Sequence, residues 1–470
     1  MMKHAEETPY VFDYVICGAG SAGCVLANRL SENGRNQVAL IEAGGTDNWI
    51  WFHIPAGYLF AIGNPRADWL FRTEKIAGLN GRDLAYPRGK VLGGSSAINA
   101  MIYMRGQRED YDTWRDEGLD GWGWEDVLPY FIRHEDNWRG AGPFHGAGGE
   151  WRVEPPRLHW EILDAFRAAA GQCQIPPTED FNTGSNEGCG YFDVNQKMGR
   201  RWSAARGFLK PALKRPNLRV FNETLVDRIV FDGRRASGVA VTGPDGTRTI
   251  PARREVVLCA GAVSSPAILE RSGIGNAERL RGMGIEVAAD LSGVGENLQD
   301  HLQIRPVFKV SNAPTMNMIY RSLVRRGMMG LQYAFLRRGA LTMAPSQLGA
   351  FTRSAARYDR PNIQFHIQPL SLDKFGDALH DFPAITVSVC NLRPSSRGSV
   401  HIRSADPAAA PVIDPNYLAT EEDRLVSAES IRKARQIMQA EALHRYAPEE
   451  HRPGSQYQTD EELVAVAGDI

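Results

Sequence analysis

The sequence has 470 residues, 43% of them hydrophobic and 23% charged, which is typical of a soluble globular protein with two or more lobes. Because 54 Lys and Arg residues are balanced by 55 Asp and Glu residues, the formal charge of −1 gives no reason to expect nucleic acid or strong attraction to anionic membranes. No run of about 18 uncharged apolar residues occurs in the sequence, which argues against a membrane span.

The N-terminus and the cysteines indicate a cytoplasmic protein. Residues 1–20 carry acidic side chains and lack a long apolar core before the first strand, so we expect no signal peptide. The six cysteines form no CxxC pair, and Cys17 and Cys259 fall in apolar, strand-like runs. Buried, reduced thiols are therefore expected rather than disulfides or a metal site.

Residues 12–45 have the pattern of a strand, a glycine turn, a helix and a second strand. Gly18, Gly20 and Gly23 form GxGxxG, which makes a tight turn, lets the backbone approach a pyrophosphate, and lets helix and strand pack closely. The diphosphate would sit at the positive helix N-terminus. Glu42 ends the second strand, where a carboxylate accepts hydrogen bonds from an adenosine ribose. A glycine turn with no ligand is the alternative, but it leaves Glu42 unexplained.

A second glycine-rich stretch, RGKVLGGSSAINAMIYMRG, spans residues 88–106. It is either a plain loop-to-helix junction or a cradle whose backbone amides meet the phosphates or ring edge of a large flat cofactor. A nicotinamide enzyme has no obvious use for a second cradle, whereas FAD is longer and must be held along its length. The two stretches together therefore favour FAD over NAD.

The middle of the chain contains further strands. Residues 151–200 are rich in Trp, Pro, Gly and Asn, and we expect them to be irregular. Residues 217–241 alternate like antiparallel strands joined by an Asp232-Gly233 turn. Residues 254–275 then predict a buried strand, a glycine turn and a helix.

From about residue 311 the pattern indicates an antiparallel sheet with one face lining a substrate pocket. Residues 362–369 alternate strictly, with apolar residues on one face and Gln364, His366 and Gln368 on the other. His366 is a candidate pocket residue, but a histidine on a polar strand face is more often solvated or structurally bonded.

The segment 321–339 is basic, with Met, Leu and Phe interleaved. It could be a membrane-surface helix or a lid. We expect a solvated helix face instead, because Gly327 and Gly330 weaken the helix itself.

The chain resembles the glucose-methanol-choline (GMC) oxidoreductases, FAD enzymes that oxidise alcohols, and is most like their choline dehydrogenase-like bacterial members. The likeness rests on motif segments in the right order over nearly the whole chain: 13–23, 89–99, 261–275, 294–301 and 393–402. It implies an α/β fold (α+β overall), with a Rossmann-type FAD-binding domain and a substrate domain built on an antiparallel sheet. The implied boundaries are 1–155 and 200–310 for the first domain, and 156–199 and 311–470 for the second.

The resemblance also implies the residues that bind FAD. They are Gly18, Gly20, Ser21, Ala22, Gly23, Glu42, Val91, Gly93, Gly94, Ser95, Asn99, Ala100, Met101, Ile102 and Val226. Residues 93–96 would offer backbone amides, and Met101 and Ile102 would pack beneath the cofactor. Val226 would meet the adenine end. Some members attach FAD through a histidine in this segment, which here is replaced by Ala97-Ile98-Asn99, so we predict non-covalent FAD.

The catalytic base of the family has no counterpart in this sequence. In relatives it is a histidine in an H-P-x-G-T-type motif, with a second His or Asn further on, whereas none of the eleven histidines here is followed by Pro-x-Gly. The final TDEELVAVAGDI resembles the segment directly before that motif, so we expect a truncated chain whose catalytic pair lies beyond Ile470. His301 and His53 lie in segments that the family uses near the cofactor, but structural hydrogen bonds are expected for both.

The leading function is oxidation of a primary alcohol to the aldehyde by hydride transfer to flavin N5, with a quinone, another carrier or O₂ as electron acceptor. A catalytically silent FAD-binding fragment and a hydroxynitrile lyase-like enzyme are the alternatives, and an NAD dehydrogenase is the weakest one. Peripheral membrane contact is left open. The alcohol is not given, although choline would ask for an aromatic cage, for which Trp49, Trp51, Tyr58 and Trp69 are available.

Overall fold

The computed structural model describes residues 10–373 and 377–470; residues 1–9, on which the expectation of no signal peptide partly rests, lie outside the described part. The strands are β1 (Phe12–Cys17), β2 (Val38–Ile41), β3 (Glu135–Asn137), β4 (Trp151–Val153), β5 (Gly188–Tyr191), β6 (Gln196–Lys197), β7 (Arg200–Arg201), β8 (Leu218–Phe221), β9 (Leu225–Asp232), β10 (Arg235–Gly243), β11 (Gly246–Leu258), β12 (Ile274–Gly275), β13 (Ala289–Asp290), β14 (Gln303–Ile304), β15 (Val307–Lys309), β16 (Leu348–Thr352), β17 (Ile363–Gln368), β18 (Ala384–Asn391), β19 (Ser399–His401), β20 (Val412–Asp414) and β21 (Glu449–Arg452).

The helices are α1 (Ser21–Ser31), α2 (Tyr58–Ala61), α3 (Arg108–Asp116), α4 (Trp124–His134), α5 (Glu161–Gln172), α6 (Lys210–Ala212), α7 (Gly261–Arg271), α8 (Ala277–Gly282), α9 (Met316–Arg321), α10 (Leu323–Leu336), α11 (Glu421–Met438) and α12 (Asp460–Ala467). Short 3₁₀ turns lie at Ile50–Phe52, Pro55–Gly57, Ala77–Leu79, Gly94–Ala97, Ala340–Thr342 and Glu441–Tyr446, and a π-helical turn lies at Ala205–Leu209.

The first sheet has the strand order β8-β2-β1-β11-β10-β9. Strand β1 lies at its centre because its apolar residues are buried and both of its edges pair in parallel, with β2 and with β11. Helix α1 follows β1 through the glycine turn and packs on the sheet. This strand–helix–strand unit is the Rossmann-type arrangement that the sequence predicted.

The antiparallel pairing predicted for residues 217–241 is confirmed for two strands and wrong for the third. Strands β9 and β10 are antiparallel and turn at Asp232-Gly233 as predicted, with Gly233 at φ +57°. Strand β8 was expected to be antiparallel as well, but it pairs in parallel with β2. Its partner is therefore a strand far away in the sequence, which local alternation does not reveal.

Helix α5 shows that the segment 151–200 is not simply irregular. Its residues Ile162, Phe166 and Ala170 recur at four-residue spacing and are buried. They pack into a core that is shared with strands of the second sheet and with helix α11. The aromatic residues, prolines and glycines on either side of α5 concealed this periodicity.

The second sheet is antiparallel, in the order β21-β15-β18-β17-β16-β5, with β14 also paired to β18. Its apolar face, which includes Phe365 and Val387, is completely buried in the largest hydrophobic core. The antiparallel sheet predicted from residue 311 onward is thus present. It also contains β5, which precedes strands β8 to β11 of the first sheet in the sequence. The exact domain boundaries stay a prediction.

The second face of β17 is covered rather than solvated. Gln364 and Gln368 are only 8% exposed, and the ring of Phe192 lies 5.6 Å from that of His366. Phe192 also explains Gly349 on the neighbouring strand, because a Cβ there would come within 1.9 Å of the phenyl ring. The buried Nδ1 of His366 has no hydrogen-bond partner among the described residues, but the residue is only half-buried, so neither the pocket role nor the solvated role is decided and both stay predictions.

Helix α10 forms despite its two internal glycines, and its outer face is exposed to solvent as expected, but that face is apolar. Among the described residues, no helix is long and apolar enough to cross a bilayer. All six cysteines are free thiols, and four of them are buried as predicted, whereas Cys173 and Cys259 are only half-buried.

Candidate cofactor site

A cavity of about 780 Å³ opens at the carboxyl ends of β1, β2 and β11, where α/β sheets bind their ligands. Its volume falls in the range of about 300–1,000 Å³ found for cofactor and small-molecule sites. The lining comes from distant parts of the chain: the glycine turn and α1, the ends of β1 and β2, residues 88–90, 94 and 95, residues 223–226, Thr242, residues 258–265, 267, 268 and 271, and residues 407–411. Three of the motif segments singled out in the sequence thus meet at one cavity.

The glycine turn at the cavity requires its glycines for different reasons. Gly18 has φ +102°, and a Cβ there would lie 2.6 Å from the carbonyl oxygen of Cys259. A Cβ on Gly23 would lie 1.9 Å from the carbonyl oxygen of Gly18, so α1 can approach the turn only with glycine at this position. At Gly20 the nearest atom to a Cβ is 3.9 Å away, and the residue lines the cavity. Gly20 therefore keeps space open for an occupant of the cavity, not for another part of the chain.

The second glycine stretch contributes in a different way from the one expected. The amides of Gly93 and Gly94 donate within the protein, to the carbonyl oxygens of Ala19 (2.8 Å) and Val91 (2.7 Å), so they are not offered to a cofactor. Gly94 has φ +52°, and a Cβ there would lie 2.7 Å from the Cα of Gly20. This stretch therefore fastens a 3₁₀ turn directly against the first glycine turn and places Gly94 and its neighbour in the cavity wall.

Glu42 lies in the cavity wall directly after β2. One carboxylate oxygen accepts from the amide of Ala19 (2.9 Å) and the other from the amide of Gly44 (2.8 Å). Burial raises the pKa of Glu42 to about 7, although these two hydrogen bonds and Lys90 act in the opposite direction. The carboxylate thus braces the glycine turn, while its remaining lone pairs can accept from hydroxyl groups of a ligand.

The pKa of Glu42 leads to a pH-dependent prediction. If Glu42 accepts from the ribose hydroxyls of FAD, they stabilise its ionised form, so FAD affinity should rise with pH up to about 7 and then level off. Without flavin, the carboxyl of Glu42 binds its proton more tightly in the folded chain than in the unfolded chain. The contribution of Glu42 to the free energy of unfolding therefore falls as pH rises from about 4.5 to 7. Glu42→Gln should weaken FAD binding about tenfold at pH 8 and flatten the pH profile.

The measurement is quenching of flavin fluorescence on titration of flavin-free chain between pH 5.5 and 8.5. Glu32→Gln, at an exposed glutamate just after α1, is the matched control and should reproduce the wild-type profile. A Glu42→Gln variant with the wild-type affinity and slope would contradict the role of this carboxylate.

The structure brings some of the predicted cofactor residues to the cavity and leaves others behind it. The predicted residues in the cavity wall are Gly18, Gly20, Ser21, Ala22, Glu42, Gly94, Ser95 and Val226. The predicted residues outside that wall are Gly23, Val91, Gly93, Asn99, Ala100, Met101 and Ile102. Met101 is 1% exposed and packs on Val194 and Ala344, so its position beneath the cofactor stays a prediction.

Positively charged residues of the cavity wall were not singled out from the sequence. Arg88 and Lys90 flank the second glycine stretch, and Arg271 ends helix α7. Arg271 donates to the carbonyl oxygen of Asp227 (2.8 Å), and burial lowers its pKa. A cationic wall suits a diphosphate. The signal that could have revealed Arg88 and Lys90 is their position beside the glycines.

Arg201 is a second residue that sequence analysis missed. Its fully buried guanidinium donates to the side-chain oxygen of Asn99 (2.9 Å) and to the carbonyl oxygens of Ser96 (3.3 Å) and Pro55 (3.4 Å). Burial lowers the pKa of Arg201 to about 9. The side chain thus joins β7 to the 3₁₀ turn of the second glycine stretch, a contact across about a hundred residues that no local pattern announces.

The four aromatic residues considered for a choline cage do not form one. Trp69 lies in the cavity wall, but the ammonium of Lys90 occupies a position 4.8 Å from its ring. Trp51 stacks on Phe60, and Tyr58 is buried. The guanidinium of Arg66 lies 5.1 Å from Trp49. Two of these rings therefore already hold cations of the chain itself.

The two histidines near the motif segments behave differently. The Nε2 of His301 lies 3.1 Å from the carbonyl oxygen of Leu392, which is the structural hydrogen bond expected for it. The buried Nδ1 of His53 has no partner among the described residues, so the same expectation was wrong there. Burial, followed by the charge of Arg206, lowers the pKa of His53 to about 4 and keeps it neutral at physiological pH. Neither residue lies in the cavity wall.

Comparisons with known proteins agree with this arrangement. A family model described as GMC oxidoreductase matches residues 12–303, and a second model with the same description matches residues 394–469. An alcohol dehydrogenase (acceptor) from Pseudomonas putida is 39% identical over 97% of this chain and 83% of its own length. The mitochondrial choline dehydrogenase of Homo sapiens is 40% identical over 97% of this chain and 77% of its own length.

A solved structure has the same architecture. Pyridoxine 4-oxidase from Mesorbium loti superposes with a TM-score of 0.87 at 31% identity, covering 97% of this chain and 86% of that one. The expectation of a catalytic pair beyond Ile470 is not tested by these matches and stays a prediction. The matched ranges and the shared fold establish that the chain belongs to the GMC oxidoreductase family of FAD-dependent enzymes.

Proposed function

We propose that the chain binds FAD non-covalently in this cavity and belongs to an enzyme that oxidises an alcohol to the aldehyde. The observation that carries the proposal is the convergence of the glycine turn, the second glycine stretch and the segment after β11 on one cavity of about 780 Å³. A long cofactor that contacts all three segments explains why they meet at one cavity.

Different residues of the cavity wall would contact different parts of the cofactor. The N-terminus of α1, with Ser21 and Ala22, receives the diphosphate, and Gly20 gives it room. Glu42 accepts from the ribose, and Val226 contacts the adenine end. Gly94 and the residue after it border the flavin side. These assignments rest on the position of each residue in the cavity wall and on the resemblance.

When bound, FAD supplies the acceptor for the hydride of the alcohol carbon. The chain must hold the cofactor and keep its own charges in place, and a base must take the hydroxyl proton. Of the described residues in the cavity wall, Glu42 and Glu223 carry carboxylates, and Glu42 is committed to two backbone amides. We therefore assign the proton to no residue of the cavity wall.

The remaining assignments are coarser. We place the FAD-binding domain at 1–155 and 200–310, and the substrate-binding domain at 156–199 and 311–470. A cytoplasmic location suits six free thiols. The electron acceptor is a quinone, another carrier or O₂.

The test is anaerobic reduction of the FAD-loaded chain by a panel of alcohols that includes linear alkanols, benzyl alcohol and choline. Bleaching of the visible flavin band by one alcohol, with formation of the aldehyde, would establish the reaction and the substrate class. A flavin band that never changes would support the silent alternative. Consumption of a cyanohydrin without bleaching would support the lyase alternative.

A second measurement tests the mode of binding. Acid precipitation of the loaded chain should leave all flavin in the supernatant, because the segment in which other members carry the attaching histidine reads Ala97-Ile98-Asn99 here. Flavin that stays in the protein pellet would show a covalent bond and contradict the assignment.

A further inference from the structure

Helix α10 presents an apolar stripe to solvent. Its residues Val324, Met328, Leu331 and Phe335 are between 60% and 81% exposed. They follow one another at intervals of four, three and four residues, which places all four on one side of an α-helix. Scattered exposed apolar residues need no explanation, but a continuous stripe of this kind usually marks an interaction surface.

The opposite side of α10 holds the helix on the protein. Tyr333 is buried, and its hydroxyl donates to the carbonyl oxygen of Gly199 (3.1 Å). At the end of the helix, the backbone of Arg337 sits so close to Gly199 that a Cβ on this glycine would lie 2.4 Å from the Arg337 carbonyl oxygen. The body of the protein therefore fixes the orientation of α10, and the stripe points outward because of it.

Along the sequence, the charged residues next to the stripe are all positive. Five arginines lie just before, within and just after the helix: Arg321, Arg325, Arg326, Arg337 and Arg338. The sequence has no Asp or Glu between Asp300 and Asp359. Because the whole chain has a formal charge of −1, this is a local concentration of charge and not a general basicity.

We infer that α10 docks the protein on an anionic lipid surface, with the stripe in the boundary between headgroups and acyl chains and the arginines at the headgroups. A helix with an apolar face and flanking cations binds such an interface through buried apolar area and through attraction to anionic lipids. The inference does not depend on the proposed reaction, since it concerns a surface away from the cavity wall.

A second copy of the chain fits this surface less well. In a symmetric dimer built on α10, the same patch would face itself, and the arginines of the two copies would repel each other, since the segment 301–358 has no acidic residue to pair with them. An anionic bilayer satisfies the stripe and the charges together.

The test is co-sedimentation of the FAD-loaded chain with two kinds of vesicle, phosphatidylcholine alone and phosphatidylcholine in which one lipid in four is phosphatidylglycerol. We expect binding to the anionic vesicles and little binding to the neutral ones. Leu331→Gln with Phe335→Gln should lower the partition onto anionic vesicles about tenfold. Arg325→Gln with Arg338→Gln should lower it about twenty-five-fold, since each cation contributes about fivefold.

Matched controls separate this surface from the rest of the protein. Leu119→Gln with Leu291→Gln removes two apolar side chains of comparable exposure elsewhere, and Arg35→Gln with Arg281→Gln makes the same change in net charge. Both controls should bind within twofold of the wild type. An unchanged flavin spectrum and thermal midpoint in every variant show that the chain is folded.

Several outcomes would overturn the inference. No binding to either vesicle, equal binding to both, or equal losses in the controls would each contradict it. Size-exclusion chromatography with light scattering tests whether a second copy of the chain binds the stripe instead. A dimer that dissociates in the Leu331→Gln/Phe335→Gln variant would identify the stripe as a contact between copies of the chain.

Discussion

Gly23→Ala is expected to lower the free energy of unfolding by more than about 3 kcal/mol and to abolish flavin binding. The new Cβ would lie 1.9 Å from the carbonyl oxygen of Gly18, and both atoms belong to well-packed backbone, so α1 or the turn has to move. A helical alanine gains about 0.5–1 kcal/mol over glycine, which is too little to offset such a clash. Chemical denaturation with and without FAD is the measurement.

Gly171→Ala provides the matched control for this substitution. Gly171 also lies inside a helix, α5, but a Cβ there meets nothing within 4 Å. The same change should therefore stabilise the chain by about 0.5–1 kcal/mol. If Gly23→Ala and Gly171→Ala had similar effects, close packing of helix and turn would not explain the glycine.

Gly20→Ala is expected to leave the fold intact and to weaken FAD binding about ten- to hundredfold. The backbone at Gly20 is extended, with φ −73°, which alanine adopts without strain, and the nearest protein atom to its Cβ would be 3.9 Å away. The methyl group would instead project into the space that a diphosphate needs, and overpacking of this kind costs about 1–3 kcal/mol. Thermal unfolding of the flavin-free chain measures the stability of the fold, and titration with FAD measures the affinity.

Gly142→Ala is the control for Gly20→Ala. Gly142 is exposed, and a Cβ there has open space, so neither stability nor FAD affinity should change. A Gly20→Ala variant that binds FAD as tightly as Gly142→Ala does would mean that the diphosphate does not approach this residue. Loss of stability without flavin would instead point to a structural role.

Local patterns predicted the parts of the fold whose reasons are local. The GxGxxG spacing acts within six residues, so Gly18 and Gly23 could be assigned their tasks before the structure was known, and the structure shows both. The Asp232-Gly233 turn joins neighbouring strands and was equally accessible. Glu42 follows from a fixed offset within one strand–helix–strand unit, and it does lie at the cavity.

Predictions failed where a residue's environment comes from far along the chain. The second glycine stretch was expected to donate its backbone amides to the cofactor, but the amide of Gly93 donates to the carbonyl oxygen of Ala19, about seventy residues away. Gln364 and Gln368 lie on the polar face of an alternating strand, and the sequence did not show that a segment containing Phe192 covers this face. Nothing in either stretch announces its distant partner.

By itself, the sequence determined the strand–turn–helix unit that lines the cavity, the antiparallel character of the second sheet and the family of the protein, because glycine spacing and apolar alternation act over a few residues. Only the tertiary structure decided that three motif segments share one cavity, that Arg201 fastens the second glycine stretch, and that α10 turns its apolar side outward. A periodic pattern shows that a helix has an apolar side. Which side meets the protein depends on the packing of residues such as Tyr333 against distant backbone.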